Sequence, residues 1–446
     1  SIDKDTVISS SQEYMRNHGS SESEITVFTN LLNKNFNENA VIDWSSWKHL
    51  PESLQCSLSS LKEPSKDEIE SILNRVAVIR LNGGLGTTMG CKGPKSFIEV
   101  KDGLTFLEIA LRQHEEFNNR YNVNIPLLLM NSFHTHKSTV EIVKDRAQCF
   151  VQSKCPRLDA STLLPFEEED ESWNPPGHGN IYVALKENGL LSQLLNKGID
   201  IIFVSNIDNT GAELSCSIAK MMVKEGIEYT MECTKKTQID LKGGTLIDIN
   251  GSIMHLEMPQ VPSENINDFC STRVFSIFNT NNIWINLSAV KDPYTTTAEI
   301  IVNKKRTSSG RNVIQLETSI GGSIKFFKKS ICVHVDRSRF IPVKGTSDLL
   351  AVSSDLYSLD HSYCLRLFSN PPPPIITLSS HFNTVGQLHS RFPIRPSMKY
   401  LKSLRLNGDI SFEGEVTFKG DVSLSASSPF IVPNGTVYED VSIESN

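Results

Sequence analysis

Val76-Ala77-Val78-Ile79-Arg80-Leu81-Asn82-Gly83-Gly84-Leu85-Gly86-Thr87-Thr88-Met89-Gly90-Cys91-Lys92-Gly93-Pro94-Lys95-Ser96 joins an apolar run directly to a loop with five glycines between Gly83 and Gly93. The run reads as a buried strand. Glycine lets the following backbone turn at positive φ and approach a ligand closely, so main-chain N–H groups can face phosphate oxygens. Two familiar phosphate loops do not fit. A P-loop needs GxxxxGK[ST], but Pro94 precedes Lys95. A dinucleotide fingerprint needs GxGxxG, but Gly84-Leu85-Gly86 is followed by Thr87, Thr88 and Met89 before Gly90. A bare glycine turn can be purely structural. The Lys95-Ser96 ending after Gly93-Pro94 argues for more, because it fixes a cation at a set distance from the loop.

Outward from this stretch, short apolar runs alternate with helical patterns, the signature of an α/β fold with a mostly parallel sheet covered by helices. Expected strands are Val76–Leu81, Pro126–Met130, Ile201–Val204, Tyr229–Cys233, Thr245–Ile249 and Val274–Phe278. Expected helices are Leu104–Phe117, Ile181–Leu195 and Ala212–Lys224. Loops after the carboxyl ends of such strands form the ligand crevice, which places both the glycine loop and Asn206-Ile207-Asp208 there.

Residues 1–72 read as a polar, helical N-terminal segment, with apolar spacing through Val27, Leu31, Leu32 and Phe36. The body of the chain is 73–370. The four-proline run Pro371–Pro374 reads as a stiff linker into 371–446. There Leu404-Arg405-Leu406-Asn407-Gly408-Asp409, Ile410-Ser411-Phe412-Glu413-Gly414-Glu415 and Val416-Thr417-Phe418-Lys419-Gly420-Asp421 repeat an apolar-x-apolar-x-Gly-acidic unit. A six-residue period of this kind suggests a stacked β-helix, with a plain β-meander as the alternative.

The 446 residues carry a formal charge of −7, so the surface has no general attraction for nucleic acid or anionic lipid. Any binding of polyanions must rest on a few lysines in a cleft. No run is long and apolar enough to span a membrane, and Ser1 to Ser11 lacks the layout of an export signal. The nine cysteines include no CxxC pair and read as reduced thiols, giving the expectation of a cytoplasmic chain.

The glycine loop resembles the nucleotide-binding loop of eukaryotic-type UTP–glucose-1-phosphate uridylyltransferases, the UDP-glucose pyrophosphorylases. The similarity continues in order through Met130-Asn131-Ser132-Phe133, Pro175-Pro176-Gly177-His178-Gly179, Ser205-Asn206-Ile207-Asp208-Asn209 and Lys242-Gly243-Gly244-Thr245. It extends through Gln260-Val261-Pro262, Phe278-Asn279-Thr280-Asn281-Asn282 with Trp284, Gln315-Leu316-Glu317-Thr318 and Ser338-Arg339-Phe340-Ile341-Pro342-Val343-Lys344. The resemblance implies a Rossmann-like nucleotidyltransferase domain with a mixed sheet, followed by a C-terminal left-handed parallel β-helix. It also implies the reaction of UTP with glucose 1-phosphate to give UDP-glucose and pyrophosphate, with Mg²⁺.

By that resemblance Leu81, Asn82, Gly83, Gly84 and Met130 lie along the nucleotide, and Gln152 and Gly177 read the uracil. An amide and a backbone group together offer donor and acceptor edges. His178, Asn206, Ile207, Asp208, Gly244, Glu257, Asn279 and Asn281 form the sugar-phosphate set, with Asp208 the Mg²⁺ ligand. Lys95, Lys344 and Asp208 are the catalytic residues. Lysine is a point charge that can follow phosphate oxygens as bonds change. Asp208 could instead cap a helix starting at Gly211, a task open also to Asn209 or Thr210.

Two positions depart from the family pattern. Thr88 stands where many sugar nucleotidyltransferases have Arg, which shifts phosphate binding onto the two lysines and the metal. Asn180 stands where the family more often has Asp. Two rival readings are a broader UDP-sugar pyrophosphorylase and a non-catalytic nucleotide-binding scaffold. Subunit contacts through the β-helix are expected in some lineages of the family and absent in others.

Overall fold

Five of the six expected strands join one eight-stranded sheet in the computed structural model, which describes residues 2–37, 41–296 and 299–446. Across the sheet the strands run Gln55–Ser57, Ser330–His334, Tyr229–Lys235, Ile277–Asn286, Ile201–Asn206, Val76–Asn82, Leu127–Asn131 and Gln148–Val151. Val76–Asn82 pairs in parallel with Leu127–Asn131, and that strand with Gln148–Val151. Ile277–Asn286 runs antiparallel to both of its neighbours, which makes the sheet mixed. The central strands are buried along their length because helices and loops cover the faces, so they read as unbroken apolar runs rather than alternating ones.

Chain segments form two compact units. One comprises 1–83, 123–205 and 214–335 and holds the large sheet. The other comprises 84–122, 206–213 and 336–446. In the first unit Ala77, Ile79, Leu128, Met130, Ile202, Met231 and Ile283 share one core. Its N-terminal helices, Lys4–Asn17 and Glu22–Asn37, bury Met15, Phe28, Leu31 and Leu32 against Cys155, Leu158, Val183 and Leu316.

The second unit contains the helix Phe106–Tyr121, whose first turn is capped by Thr105 accepting from the Glu108 N–H, and the helix Thr346–Ser353. Four of its C-terminal strands, Ile375–Leu378, Leu401–Asn407, Val416–Ala426 and Thr436–Ser445, pair in parallel in one sheet, and Ile410–Phe412 pairs in parallel with Phe430–Val432. Leu404 lies opposite Val422, and Val422 opposite Val441. Both apolar residues of each repeat unit are buried: Leu404 and Leu406, Ile410 and Phe412, Val416 and Phe418, Val422 and Leu424. They share a core with Met89, Ile98 and Phe106 from the chain around the glycine loop.

Several expectations change. The stretch after Asn37 is not uniformly helical. Trp44 and Trp47 pack on Phe275, and Gln55–Ser57 becomes an outer strand of the large sheet. The strand expected at Val274–Phe278 begins at Ile277 and runs to Asn286. Its polar residues can be strand because a buried acid serves them: Glu232 accepts from Asn282 Nδ2 (3.3 Å) and from Trp284 Nε1 (2.8 Å). Thr245–Ile249 is a strand, but of a separate three-stranded sheet. The helix expected over Ile181–Leu195 is two, Ile181–Glu187 and Leu190–Asn196, parted at Gly189 with φ +74°.

Candidate functional site

In the first unit the end of Val76–Asn82 is fastened from three sides. Asn82 Nδ2 donates to Asn131 Oδ1 (2.8 Å), Thr135 Oγ1 donates to the Asn82 carbonyl (2.8 Å), and Ser132 Oγ donates to the Gly83 carbonyl (2.8 Å). The Asn82 side chain is thus committed to the scaffold. The Met130 side chain is likewise buried in the core below, leaving only its main chain for any ligand. Leu81 is paired across from Met130 in the sheet. Gly83 has no room for a side chain, since a Cβ would sit 2.8 Å from Gln152 Oε1.

Gln152 and Gly177 are brought together as expected. Gln152 is buried, not a solvated loop residue, and its Nε2 donates to the Gly177 carbonyl (3.0 Å). Gly177 has φ +83°, and a Cβ there would lie 2.3 Å from the Thr318 carbonyl. Only glycine fits this position on both counts. His178 Nδ1 accepts from the Ile320 N–H (2.9 Å), so its Nε2 carries the proton. Burial lowers its pKa to about 4, leaving a neutral ring that can donate but not bring charge.

Gly244, Glu257, Asn279 and Asn281 also converge. The Asn279 N–H donates to the Gly244 carbonyl (2.8 Å), and the Asn281 N–H donates to Asn279 Oδ1 (2.7 Å). Asn281 takes φ +61°, a left-handed conformation that asparagine tolerates. Asn279 and Asn281 both lie within the strand Ile277–Asn286. Glu257 has a pKa raised to about 7, by burial first and then by Glu299 and Glu317. His255, unnoticed in the sequence, lies between Gly244 and Gly321. A Cβ on either glycine would come within 2.5 Å or 3.0 Å of its ring nitrogens. Its only sequence signal is a lone histidine in the apolar run Ile253-Met254-His255-Leu256.

The second unit carries the cations. The Lys95 N–H donates to the Gly84 carbonyl (3.0 Å), folding the glycine loop back on itself, and Lys95 Nζ lies 2.5 Å from Asp208 Oδ2. Asp208 does not cap a helix. The expected helix at Gly211 begins only at Cys216 and is capped by Ser215. Ile207 is buried, and the Asn206 carbonyl accepts from the Asn209 N–H (3.0 Å). Asn209 was proposed as a cap and has a different task. It accepts from the Ile341 N–H (2.9 Å) and donates to the Arg339 carbonyl (3.0 Å), fixing the segment that leads to Lys344.

Lys344 is exposed despite its apolar neighbours. Its N–H and that of Gly345 both donate to Asp348 Oδ2, at 2.8 and 3.1 Å. Burial pushes the Asp348 carboxyl up, and these hydrogen bonds with the charges of Lys344 and Lys95 act against that shift. Both lysine charges therefore bear on one carboxylate. Asp348 escaped the sequence reading because an acid in the first turn of a helix is ordinary.

A hydrogen-bonded glycine loop, a lysine paired with an aspartate after a strand end, and a second lysine bearing on a shared carboxylate define a nucleotidyltransferase. The profile of the UTP--glucose-1-phosphate uridylyltransferase family matches residues 25–419, and the chain belongs to that family. It is 40% identical to UTP--glucose-1-phosphate uridylyltransferase 2 of Dictyostelium discoideum, over 94% of this chain and 86% of that one. It is 43% identical to the UTP--glucose-1-phosphate uridylyltransferase of Solanum tuberosum, over 94% and 92%. Among solved structures, a mutant UDP-glucose pyrophosphorylase from Leishmania major in complex with UDP-glucose superposes with a TM-score of 0.89 at 30% identity, over 98% and 99% of the two chains.

Proposed function

We propose that this chain catalyses the reaction of UTP with α-D-glucose 1-phosphate to give UDP-glucose and pyrophosphate. The observation that carries the reading is the Lys95–Asp208 contact, set beside a second lysine whose charge reaches the same carboxylate, Asp348. A phosphate oxygen of the sugar attacks the α-phosphorus of UTP as the bond to the β-phosphate oxygen breaks, and pyrophosphate leaves in line. No covalent intermediate is needed, so catalysis is positioning and charge stabilisation. The obstacle is the approach of two anions, and Lys95 and Lys344 offset it. Gln152 and Gly177 present an amide and a main-chain edge to the uracil. Neutral His178, Glu257, Asn279 and Asn281 suit sugar hydroxyls.

Asp208 is the residue to hold Mg²⁺. Asp208 offers one hard carboxylate after the end of the strand Ile201–Asn206. That suits Mg²⁺, which commonly binds one or two carboxylates plus substrate phosphates rather than a protein cage. When bound, the ion supplies positive charge to the phosphates.

The parallel register of the C-terminal strands and their buried repeat residues support a left-handed β-helix over 371–446. Its outermost strand, Thr436–Ser445, exposes Val437 and Ile443, which supports self-association there. The nine free thiols support a cytoplasmic setting. Pyrophosphate release from UTP and glucose 1-phosphate, with and without Mg²⁺, tests the reading. UTP binding without release would favour the scaffold, and equal pyrophosphorolysis of UDP-galactose the broader enzyme.

A further inference from the structure

Asn180 follows the Gly177-His178-Gly179 loop and has no part in the chemistry above. It is 3% exposed and spends both ends of its amide on one residue. Its Oδ1 accepts from the Ser153 N–H (2.9 Å), and its Nδ2 donates to Ser153 Oγ (3.2 Å). Ser153 is itself buried and adjoins Gln152.

The main chain closes the arrangement. The Asn180 N–H donates to the Gly177 carbonyl (3.2 Å), the same oxygen that takes the Gln152 Nε2 hydrogen bond. Gly177 O, the Gln152 side chain, the Gln152–Ser153 backbone and the Asn180 amide thus make one closed ring. Gln152 N–H donates to the Asn131 carbonyl (2.8 Å), anchoring the ring to the sheet edge. A free glutamine side chain loses rotamer entropy when a ligand orders it. A ring that holds the residue in place beforehand removes part of that cost from binding.

We infer that Asn180 is a positioning residue for base recognition: by gripping Ser153 at two points it fixes Gln152 against Gly177 and so sets the discrimination between uracil and other bases. The inference rests on the uridylyl-transfer reading. Asn180 does not touch the nucleotide. An aspartate could accept from the Ser153 N–H and from its hydroxyl, which can turn to donate. Alanine can do neither.

The test compares wild type, Asn180→Ala, Asn180→Asp and Ser153→Ala in steady-state pyrophosphate release with UTP or CTP. For Asn180→Ala the KM for UTP should rise about tenfold, as expected for losing buried hydrogen bonds of this size. The preference for UTP over CTP should fall by a similar factor. Saturated kcat should stay within about threefold, and the KM for glucose 1-phosphate should not move. Asn180→Asp should restore both the UTP KM and the base preference, and Ser153→Ala should shift them part of the way. A general loosening of the fold would instead move both substrates together. The inference is overturned if Asn180→Ala keeps the wild-type UTP KM and base preference, or if Asn180→Asp is as impaired as alanine. Should Asn180→Ala not fold, Ser153→Ala with unchanged UTP parameters overturns it equally. Wild-type protein that uses CTP as readily as UTP, or neither, defeats the uridylyl-transfer reading itself before any variant is compared.

Discussion

Lys95 Nζ and Asp208 Oδ2 are 2.5 Å apart although 113 residues separate them in the chain. One belongs to the glycine loop and the other to the loop after Ile201–Asn206, so the contact joins the two loops that α/β folds reserve for ligands. Replacing either lysine should expose its role. Lys95→Ala and Lys344→Ala should each lower kcat on the order of a hundredfold or more, the scale of losing one charge-stabilising group. Near-normal turnover in either variant removes that lysine from the mechanism.

Asp208→Asn should uncouple metal from activity. The amide keeps the shape but gives up the charge that pairs with Lys95 and suits a hard cation. Turnover should fall on the order of a hundredfold, and the Mg²⁺ concentration for half-maximal rate should rise. A titration of initial rate against Mg²⁺ would expose a wrong assignment as an unchanged midpoint.

Gly177→Ala places a Cβ against the Thr318 carbonyl in a left-handed conformation. A cost above about 1 kcal/mol is expected, because the backbone strain adds to the clash. Thermal denaturation should show a Tm lower by several degrees, and the UTP KM should rise because the Gln152 acceptor has moved. A variant with wild-type Tm would mean that the loop yields.

His255→Leu should stabilise the protein by about 1 kcal/mol at neutral pH, because among the described residues neither ring nitrogen has a hydrogen-bond partner and burying an unmade hydrogen bond is costly. Burial first, and then the neighbouring His178, which resists a second proton beside its own, lowers the His255 pKa from 6.5 to about 4. Between those values the unfolded chain binds a proton that the folded chain refuses, so stability falls as pH drops through that window. Urea midpoints at pH 7 and pH 5 should therefore differ less in His255→Leu than in wild type. Equal slopes would show that His255 is not the titrating group.

Glu257 acts with the opposite sign. Its pKa rises from 4.5 to about 7, so between those values the folded chain keeps a proton that the unfolded chain has released. This group weakens the fold as pH climbs through that range. Glu257→Gln cannot ionise and should lose less stability from pH 5 to pH 8 than wild type. The same substitution should flatten the pH dependence of the glucose 1-phosphate KM near neutrality. A parallel pair of profiles would place Glu257 outside the sugar site.

The glycine loop and the strand ends were legible because their signals are local. An apolar run stops at Leu81, and glycines begin at Gly83. The C-terminal repeat was legible for the same reason, its alternate apolar residues being the buried ones. The Asn279–Asn282 stretch is not legible as strand, because a run of asparagines normally seeks water. What makes it strand is Glu232, 50 residues away from Asn282 and invisible to any local window. Asp348 was missed, and Asn209 reads in the sequence only as a possible helix cap. Asn209 is an ordinary polar residue until Ile341 arrives, 132 residues further along, whereas Asp348 lies four residues from Lys344 and reads as a common first-turn acid.

The unit that carries Lys95, Asp208 and Lys344 is assembled from 84–122, 206–213 and 336–446. During synthesis from the amino end, Met89, Ile98, Phe106 and Ile109 emerge long before Val343, Leu349, Met398 and Leu404, the partners that bury them. The nascent chain must therefore carry an uncovered greasy surface through the making of more than half its length. Such surfaces invite aggregation, so translation speed and holdase chaperones bear, alongside final stability, on how much of this protein a cell recovers.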